Sequence, residues 1–394
     1  MSSTLTSTTC YIKTEPYDLG VCIKKDSNSI SATTIDEILL LIDKLELIQF
    51  QFRSLTNKKL DDEIPEIVDL NRLLNIKQIK KSSDESISSS VTQRFETKSS
   101  QLIQLQFSYI DVSETFLWTI KRLEIELDSK FAQQLCLLSN QCLSKLKNRP
   151  RNLLVFINPE CGKGIGNSVY EEQVSPLFEE MNITVTTIYT ERANHARDYI
   201  KENSLDEYDG LISIGGDGMF SEICHSLLLR KAEQTGLDLN DSNTRLIPPD
   251  LRIGVIPAGS TDAVAFGTTG HNDVMTNTLQ IIVGESLLTD ITTIHNERGF
   301  VRFMATMFTY GFFGNIIEQS DKWRFFGPLR YTLAGIVQFL RNSSYNIDLT
   351  LTQASNKSDQ IKRQGHYETI ICLNMPCRCD KSKFGMSPTV HLGI

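Results

Sequence analysis

The sequence has no run of about 18 consecutive apolar residues, so no segment should cross a bilayer as a helix. It also lacks an excess of positive charge. Its 40 Lys and Arg stand against 48 Asp and Glu, a formal net charge of −8, which argues against a nucleic-acid binder working through bulk electrostatics. A local basic patch remains compatible with that total. A secretory-type start is missing, so the nine cysteines read as free thiols of a reducing compartment. Cys377-Arg378-Cys379, with Cys372 nearby, has a spacing of one and no second Cys/His pair. A structural zinc site is therefore not expected, and no metal-ligating set is assigned. What remains is an ordinary soluble composition, 40% hydrophobic and 22% charged, in 394 residues, long enough for two or three domains.

The first 30 residues are rich in Ser and Thr with little hydrophobic pattern. Over Thr34–Phe52, Ile35, Ile38, Leu39, Ile42 and Leu45 recur at helical spacing and predict an amphipathic helix. Residues 81–100 are Ser-rich and polar and read as an exposed loop. Leu102–Ile110 alternates as a half-buried strand would. Phe131, Leu135, Leu138, Cys142 and Leu146 then place a helix over 128–146. Short strands closed by one helix suit a pleckstrin-homology-like module over 1–148, or equally a plain α+β extension.

After Arg149-Pro150-Arg151 the character changes. The unbroken apolar run Leu153–Ile157 fits a strand buried on both faces. Strand and helix then alternate: a helix over 168–180, a strand at Thr184–Tyr189, a helix at Asn194–Glu202, a strand at Gly210–Ile214, a helix from Phe220 to about Lys231 and a strand at Arg252–Ile256. That pattern predicts an α/β domain with a mostly parallel sheet over 149–285. Strand-like runs at Phe300–Tyr310, Ile347–Leu351 and Thr369–Asn374 predict an antiparallel β-rich second domain over 286–394, with 353–365 as an exposed polar loop.

In an open α/β sheet, ligands bind beyond the carboxyl ends of the strands, and four motifs stand there. Asn158-Pro159-Glu160-Cys161-Gly162-Lys163-Gly164 is either a plain turn or a loop whose N–H groups approach phosphate. It is not a Walker A loop, because Gly164 rather than Ser or Thr follows Lys163. Gly215-Gly216-Asp217-Gly218 sets an Asp between glycines, which lets backbone and carboxylate face a ligand. Such an Asp can take the proton of an attacking hydroxyl or help hold Mg²⁺; otherwise it serves its own turn. Thr190-Glu191-Arg192-Ala193-Asn194 offers Thr190 or Asn194 as a helix cap. Pro257-Ala258-Gly259-Ser260-Thr261-Asp262 is a further small-residue turn, and Glu222 lies about one helical turn past Asp217.

In this order, Asn-Pro-x-x-Gly-Lys-Gly, Thr-Glu-x-x-Asn-x-Ala, Gly-Gly-Asp-Gly-x-x-x-Glu and Pro-Ala-Gly-Ser resemble the diacylglycerol-kinase catalytic family of lipid kinases. Leu154–Pro159, Tyr208-Asp209-Gly210, Gly215–Glu222, Tyr310-Gly311-Phe312 and Gly327-x-x-Arg330-Tyr331 are similar to its ceramide-kinase branch, over roughly 120–394. The resemblance implies an ATP- and Mg²⁺-dependent enzyme that phosphorylates the primary hydroxyl of ceramide, cytoplasmic and peripheral to the membrane, with no nucleic-acid partner. Sphingosine or diacylglycerol as substrate, or an impaired nucleotide- or lipid-binding scaffold, are the alternatives. Asp217 would be the general base, with Gly215, Gly216, Gly218 and Asn315 toward the substrate. Asn158, Pro159, Glu160, Gly162, Lys163, Thr190, Glu191, Arg192, Ala193 and Asn194 would lie beside ATP. Glu222, Gly259, Ser260 and Thr261 would complete the cleft, and Arg324 and Arg330 would approach the phosphates. Those two arginines otherwise read as a solvated basic face beside Trp323, Phe325 and Phe326, or as one resting on an anionic membrane.

Three departures stand out. Cys161 occupies a position where the family has Gly, which would cost about 1 kcal/mol or more if φ must be positive. Asn315 replaces an Asp. The family continues into an acidic Gly-Asp-Gly turn where this chain stops at Ile394, so a C-terminally shortened second domain is expected.

Overall fold

The computed structural model describes residues 6–13, 17–25, 47–54, 67–69, 72–79, 102–161, 164–327, 329–353 and 356–379. Two compact units emerge: Met1–Arg149 with Ile282–Glu285, and Pro150–Ile281 with Ser286–Ile394.

In the first unit, β1 (Thr6–Lys13), β2 (Tyr17–Lys25), β3 (Leu47–Ser54) and β4 (Ile67–Asp69) form an antiparallel sheet in chain order. A second antiparallel sheet holds β5 (Leu73–Ile79), β6 (Leu102–Val112) and β7 (Trp118–Asp128). Helix α1 (Ser129–Ser144) follows directly. It buries Ala132, Leu135, Ser139 and Cys142, one stripe at helical spacing, and packs on β5. The helix expected over 34–52 is corrected at its end: residues 34–46 lie outside the described ones, and Leu47–Ser54 is a strand. Ile48, Phe50 and Phe52 alternate with polar residues there, and that period of two prevails over the helical spacing read upstream. The Ser-rich stretch 81–100 also lies outside the described residues.

The second unit is built on a parallel sheet of β8 (Asn152–Ile157), β9 (Thr184–Tyr189), β10 (Gly210–Gly215) and β11 (Arg252–Pro257), in the order β11-β10-β8-β9. Leu153 to Ile157 are at most 1% exposed, as an unbroken apolar run covered on both faces requires. The helix expected over 168–180 is interrupted: α2 (Gly166–Val169) passes through a π-turn (Tyr170–Val174) into α3 (Ser175–Glu180). Helices α4 (His195–Glu202), α5 (Asp217–Thr235), α6 (Ala263–Thr269) and α7 (Val274–Val283) complete this part. Helix α5 starts at Asp217, not at Phe220, which puts the glycine-flanked Asp in its first turn.

Beyond it, β12 (Thr292–Asn296) and β13 (Gly299–Met304) form a hairpin, and β14 (Met307–Gly311) leads into α8 (Phe312–Lys322). A 3₁₀ turn (Arg324–Phe326) joins α8 to α9 (Leu329–Arg341). Strands β15 (Tyr345–Gln353) and β16 (Asn356–Tyr367) pair with each other, and β17 (Thr369–Leu373) returns to β14, all antiparallel. The antiparallel strands expected in this part are present, together with helices α8 and α9. One expectation is corrected: the residues read as a loop over 353–365 are mostly strand β16, whose pairing with β15 satisfies a backbone that the polar sequence did not mark as strand. Phe303 and Ala305 of this part pack with Phe220, Cys224, Leu228 and Val264, and His225 stacks on Phe300 at 6.3 Å.

Candidate active site

Register brings the four motifs to one edge of the sheet. Tyr189 pairs with Ile157, Ile157 with Ile214, and Gly215 with Pro257, so the strands end side by side. The ladder runs one residue further: Asn158 N donates to Ile214 O (3.1 Å), Thr190 N to Ile157 O (2.8 Å) and Ala258 N to Gly215 O (3.2 Å). The Gly215–Gly216 and Ala258–Gly259 turns then touch backbone to backbone. A Cβ on Gly259 would lie 2.5 Å from Gly216 Cα, so glycine is required by a neighbouring main chain. At Gly218 an added Cβ would meet no atom of the described residues within 4 Å, which leaves space beside the Asp217 backbone.

Asp217 is placed by this contact. Its Oδ2 accepts Ala263 N (3.1 Å) and its Oδ1 accepts Val264 N (2.8 Å), the first amides of α6. Burial pushes the carboxyl above the usual carboxylate range, and the Val264 and Ala263 amides pull it partly back. Asp262, 4% exposed and left-handed at φ 51°, turns its Oδ1 onto Gly259 N at 2.9 Å, where Ser260 and Thr261 form the exposed tip.

In the first motif, Asn158 Oδ1 receives Glu160 N (3.0 Å), a tight turn of the kind Asn favours. Pro159 is half-buried and Glu160 exposed, while Gly162 and Lys163 lie outside the described residues. Cys161 has no positive φ, so the strain considered for it does not arise. Its buried thiol instead donates to Ala258 O (3.3 Å), tying the first motif to the fourth, and burial pushes it up to about 11.

The Thr190–Asn194 turn does not cap α4 as expected. Thr190 Oγ1 donates to Ile157 O (3.2 Å), and Asn194, left-handed at φ 63°, makes no side-chain cap bond. Glu222 of α5 supplies the acceptors, Oε2 to Asn194 N (3.3 Å) and Oε1 to Arg197 N (3.1 Å). Glu191 N meets His195 Nδ1 (3.2 Å), Ala193 O accepts Arg192 Nη1 (3.3 Å), and Arg192 pairs with Asp198 at 2.7 Å.

Arg324, Arg330 and Asn315 belong to the α8–α9 pair, away from this edge in sequence and in element. Arg330 Nη2 donates to Tyr331 Oη (2.9 Å), and its Nε is shielded from solvent with no hydrogen-bond partner among the described residues. Asn315 Nδ2 donates to Tyr345 Oη (2.7 Å) and Gln338 Oε1 (3.5 Å), linking α8, α9 and β15. A groove of about 700 Å³ between α4 and α5, lined by Arg197, Lys201, Glu202 and Arg230 among others, includes none of the glycine turns.

Sequence reasoning read Cys377 as a free thiol, which it is, but did not place it near Asp217. It is buried at φ 49°, and burial, then the charge of Asp217, push its thiol up to about 11. Asn374 anchors this segment, its Nδ2 donating to Asp290 O (2.5 Å) and Ala305 O (3.0 Å). Only the return of β17 brings Cys377 near Asp217, so no local signal marks it.

Residues 152–294 match the family described as Diacylglycerol kinase catalytic domain. The chain is 36% identical over 306 residues to ceramide kinase of Homo sapiens, covering 66% of this chain and 57% of that protein. To ceramide kinase 1 of Caenorhabditis elegans it is 27% identical over 319 residues, 73% of this chain and 58% of that protein. It thus spans little more than half the length of these relatives. A solved diacylglycerol kinase from Bacillus anthracis overlaps 58% of this chain and 65% of its own at 14% identity and a TM-score of 0.39. The strand-end edge lies within residues 152–294, the stretch that matches the diacylglycerol kinase catalytic domain family, in a chain whose wider similarity is to ceramide kinases.

Proposed function

We propose that the chain is an ATP-dependent lipid kinase that transfers the γ-phosphate to the primary hydroxyl of ceramide, with Asp217 as general base. The observation that carries the reading is the backbone contact of Gly216 with Gly259 beside a half-buried Asp217, with open space at Gly218. Phosphoryl transfer depends mainly on positioning and on neutralising spread charge, which backbone amides at strand ends can do. Each Asp217 oxygen receives one N–H and keeps a lone pair for a substrate hydroxyl. A carboxyl raised by burial is the better proton acceptor at neutral pH.

Mg²⁺ suits the donors present, since it takes one or two carboxylates plus phosphate oxygens, and Asp217 with Asp262 would hold it. Bound there, it would neutralise phosphate charge. Arg330 Nε, without a hydrogen-bond partner among the described residues, would be a donor for a phosphate oxygen. Residues 149–285 would bind nucleotide and 286–394 would face the lipid. No helix among the described residues is long and apolar enough to cross a membrane. The exposed Phe325, Leu329, Ile336, Phe339 and Leu340 of the α8–α9 pair are the surface on which the chain would rest on a bilayer. The first unit, antiparallel strands closed by α1, would be a pleckstrin-homology-like module.

A second reading is a nucleotide- or lipid-binding scaffold, favoured by the use of both Asp217 oxygens as acceptors for α6. The test is transfer of labelled γ-phosphate to ceramide in mixed micelles, with sphingosine and diacylglycerol in parallel. Wild-type chain should phosphorylate ceramide best, and Asp217→Asn should lower transfer about 10²–10⁴-fold while ATP binding persists. ATP binding without phosphorylation of any of the three lipids would leave the scaffold.

A further inference from the structure

We infer that His225 is a positioning residue, whose uncharged ring joins α5, the helix that begins at Asp217, to the β12–β13 hairpin. Its effect on lipid handling rests on the kinase reading above; the joint itself stands on the contacts alone.

Helix α5 is packed on two sides. Met219, Ile223 and Leu227 meet Ala196 and Ile200 of α4, while Phe220, Cys224 and Leu228 share a second core with Phe303 and Ala305. Half-buried His225 adds a polar contact to the second, its Nδ1 accepting Phe303 N at 3.4 Å. Rings hold this long bond in place. His225 lies 5.5 Å from Phe303 and 6.3 Å from Phe300, nearly parallel to the latter at 8°. Phe300 lies 4.7 Å from Phe303 and meets His295 of β12 edge-on at 5.8 Å. Beyond them, Asn240 Oδ1 receives Phe300 N at 3.1 Å. The hairpin also fixes the segment that leads to Cys377. Thr292 Oγ1 donates to Asn374 Oδ1 at 2.7 Å, and Asn374 Nδ2 to Ala305 O at 3.0 Å.

An imidazole accepts at Nδ1 only while that nitrogen carries no proton. Burial holds His225 below its ordinary 6.5, and the charges of Arg302 on β13 and Arg197 on α4 push the same way. Glu222, one turn earlier on α5, receives the Asn194 and Arg197 amides. His295 has Asp241 within reach of its charge, and both its ring nitrogens are shielded with no hydrogen-bond partner among the described residues. As pH falls, the unfolded chain binds the His225 proton before the folded one does. The joint is therefore complete above the ordinary 6.5 and is lost on acidification, when Phe303 N faces a ring that no longer accepts. Because residues 286–394 would face the lipid, a loosened hairpin should impair the use of ceramide more than that of ATP.

The test uses the full chain with His225→Asn, which keeps an acceptor without titrating, and His225→Phe, which keeps a ring without an acceptor. Amide exchange at Phe303, corrected for its intrinsic pH dependence, is followed without nucleotide at about pH 7.5 and about pH 5. Ceramide and ATP kinetics are measured beside it. In wild type, Phe303 protection should fall about threefold or more between the two pH values. In His225→Asn it should not change with pH, and in His225→Phe it should be low at both. The first two chains decide the joint even where His225→Phe does not fold. Near pH 7.5, His225→Phe should raise KM for ceramide about fivefold and KM for ATP less than about twofold. Phe303 protection that is indifferent to pH in wild type, or that falls as much in His225→Asn, would overturn the inference. Equal rises in the two KM values would also overturn it, leaving His225 a structural contact only. A wild-type chain that phosphorylates no lipid would sink the kinase reading alone, because exchange at Phe303 decides the joint without it.

Discussion

In β8, Leu153 to Ile157 are at most 1% exposed, whereas in α9 Phe339 and Leu340 stand 75% and 77% exposed, although both stretches are apolar. Particular polar groups contrast as well, although Asn152 Oδ1 and Ser213 Oγ in the sheet are also shielded with no hydrogen-bond partner among the described residues. At the sheet edge the Asp217 and Glu222 carboxylates are each held by two backbone amides, while Arg330 keeps a shielded Nε with no hydrogen-bond partner among the described residues. The difference separates two carboxylates satisfied by neighbouring main chain from a helix pair that leaves apolar area exposed. A satisfied region can hold reacting groups in place, and an unsatisfied one is where a lipid surface would gain most.

The largest effect that tests this contrast is on stability. Phe156→Ala removes a fully buried ring packed edge-on to Tyr199 at 5.7 Å and should cost about 3–5 kcal/mol in urea denaturation. Phe339→Ala should change stability by less than about 0.5 kcal/mol. Equal losses at the two sites would mean that the α9 face is covered after all. Next comes membrane binding: the triple change Phe325→Ser, Phe339→Ser and Leu340→Ser should weaken sedimentation with anionic vesicles at least about tenfold, with little change in the unfolding midpoint.

A smaller effect follows pH. Because burial raises the Asp217 carboxyl, the folded chain keeps its proton over a range in which the unfolded group, near 3.8, has ionised. The folded state binds more protons there, so stability falls as pH rises through that range, whereas transfer by the ionised base rises. Asp217→Asn should remove this contribution to the slope, and an unchanged slope would place its origin elsewhere. Smallest is a difference in thiol reactivity. Exposed Cys372 should react with iodoacetamide well before Cys161 and Cys377, both pushed up to about 11 by burial first.

Much of the α/β part was legible because its signals are local. Leu153–Ile157 can be buried only on both faces, and each glycine turn directly follows such a strand. The α8–α9 pair was missed because Phe312, Phe313, Phe325 and Phe326 suit a strand as readily as a helix. Strand β16 was missed because Lys362, Arg363 and Gln364 look like loop until β15 pairs with them. At the site, the motif residues were readable one by one, but not the acceptor for α4. Asn194 is a good cap by residue type, and only its left-handed backbone hands the role to Glu222.

By itself the sequence determined which strands are buried on both faces, where their turns lie and that an Asp stands between glycines in one of them. Those features depend on side-chain type and spacing within a few residues. The tertiary structure alone decided that Gly216 meets Gly259, that Asp217 and Glu222 are tied to the starts of two other helices, and that Cys161 and Cys377 are buried around the cleft. The physical reason is the same in each case. Hydrogen-bond partners and burial arise between residues tens to hundreds of positions apart, and strand register, which no single segment encodes, selects which of them meet.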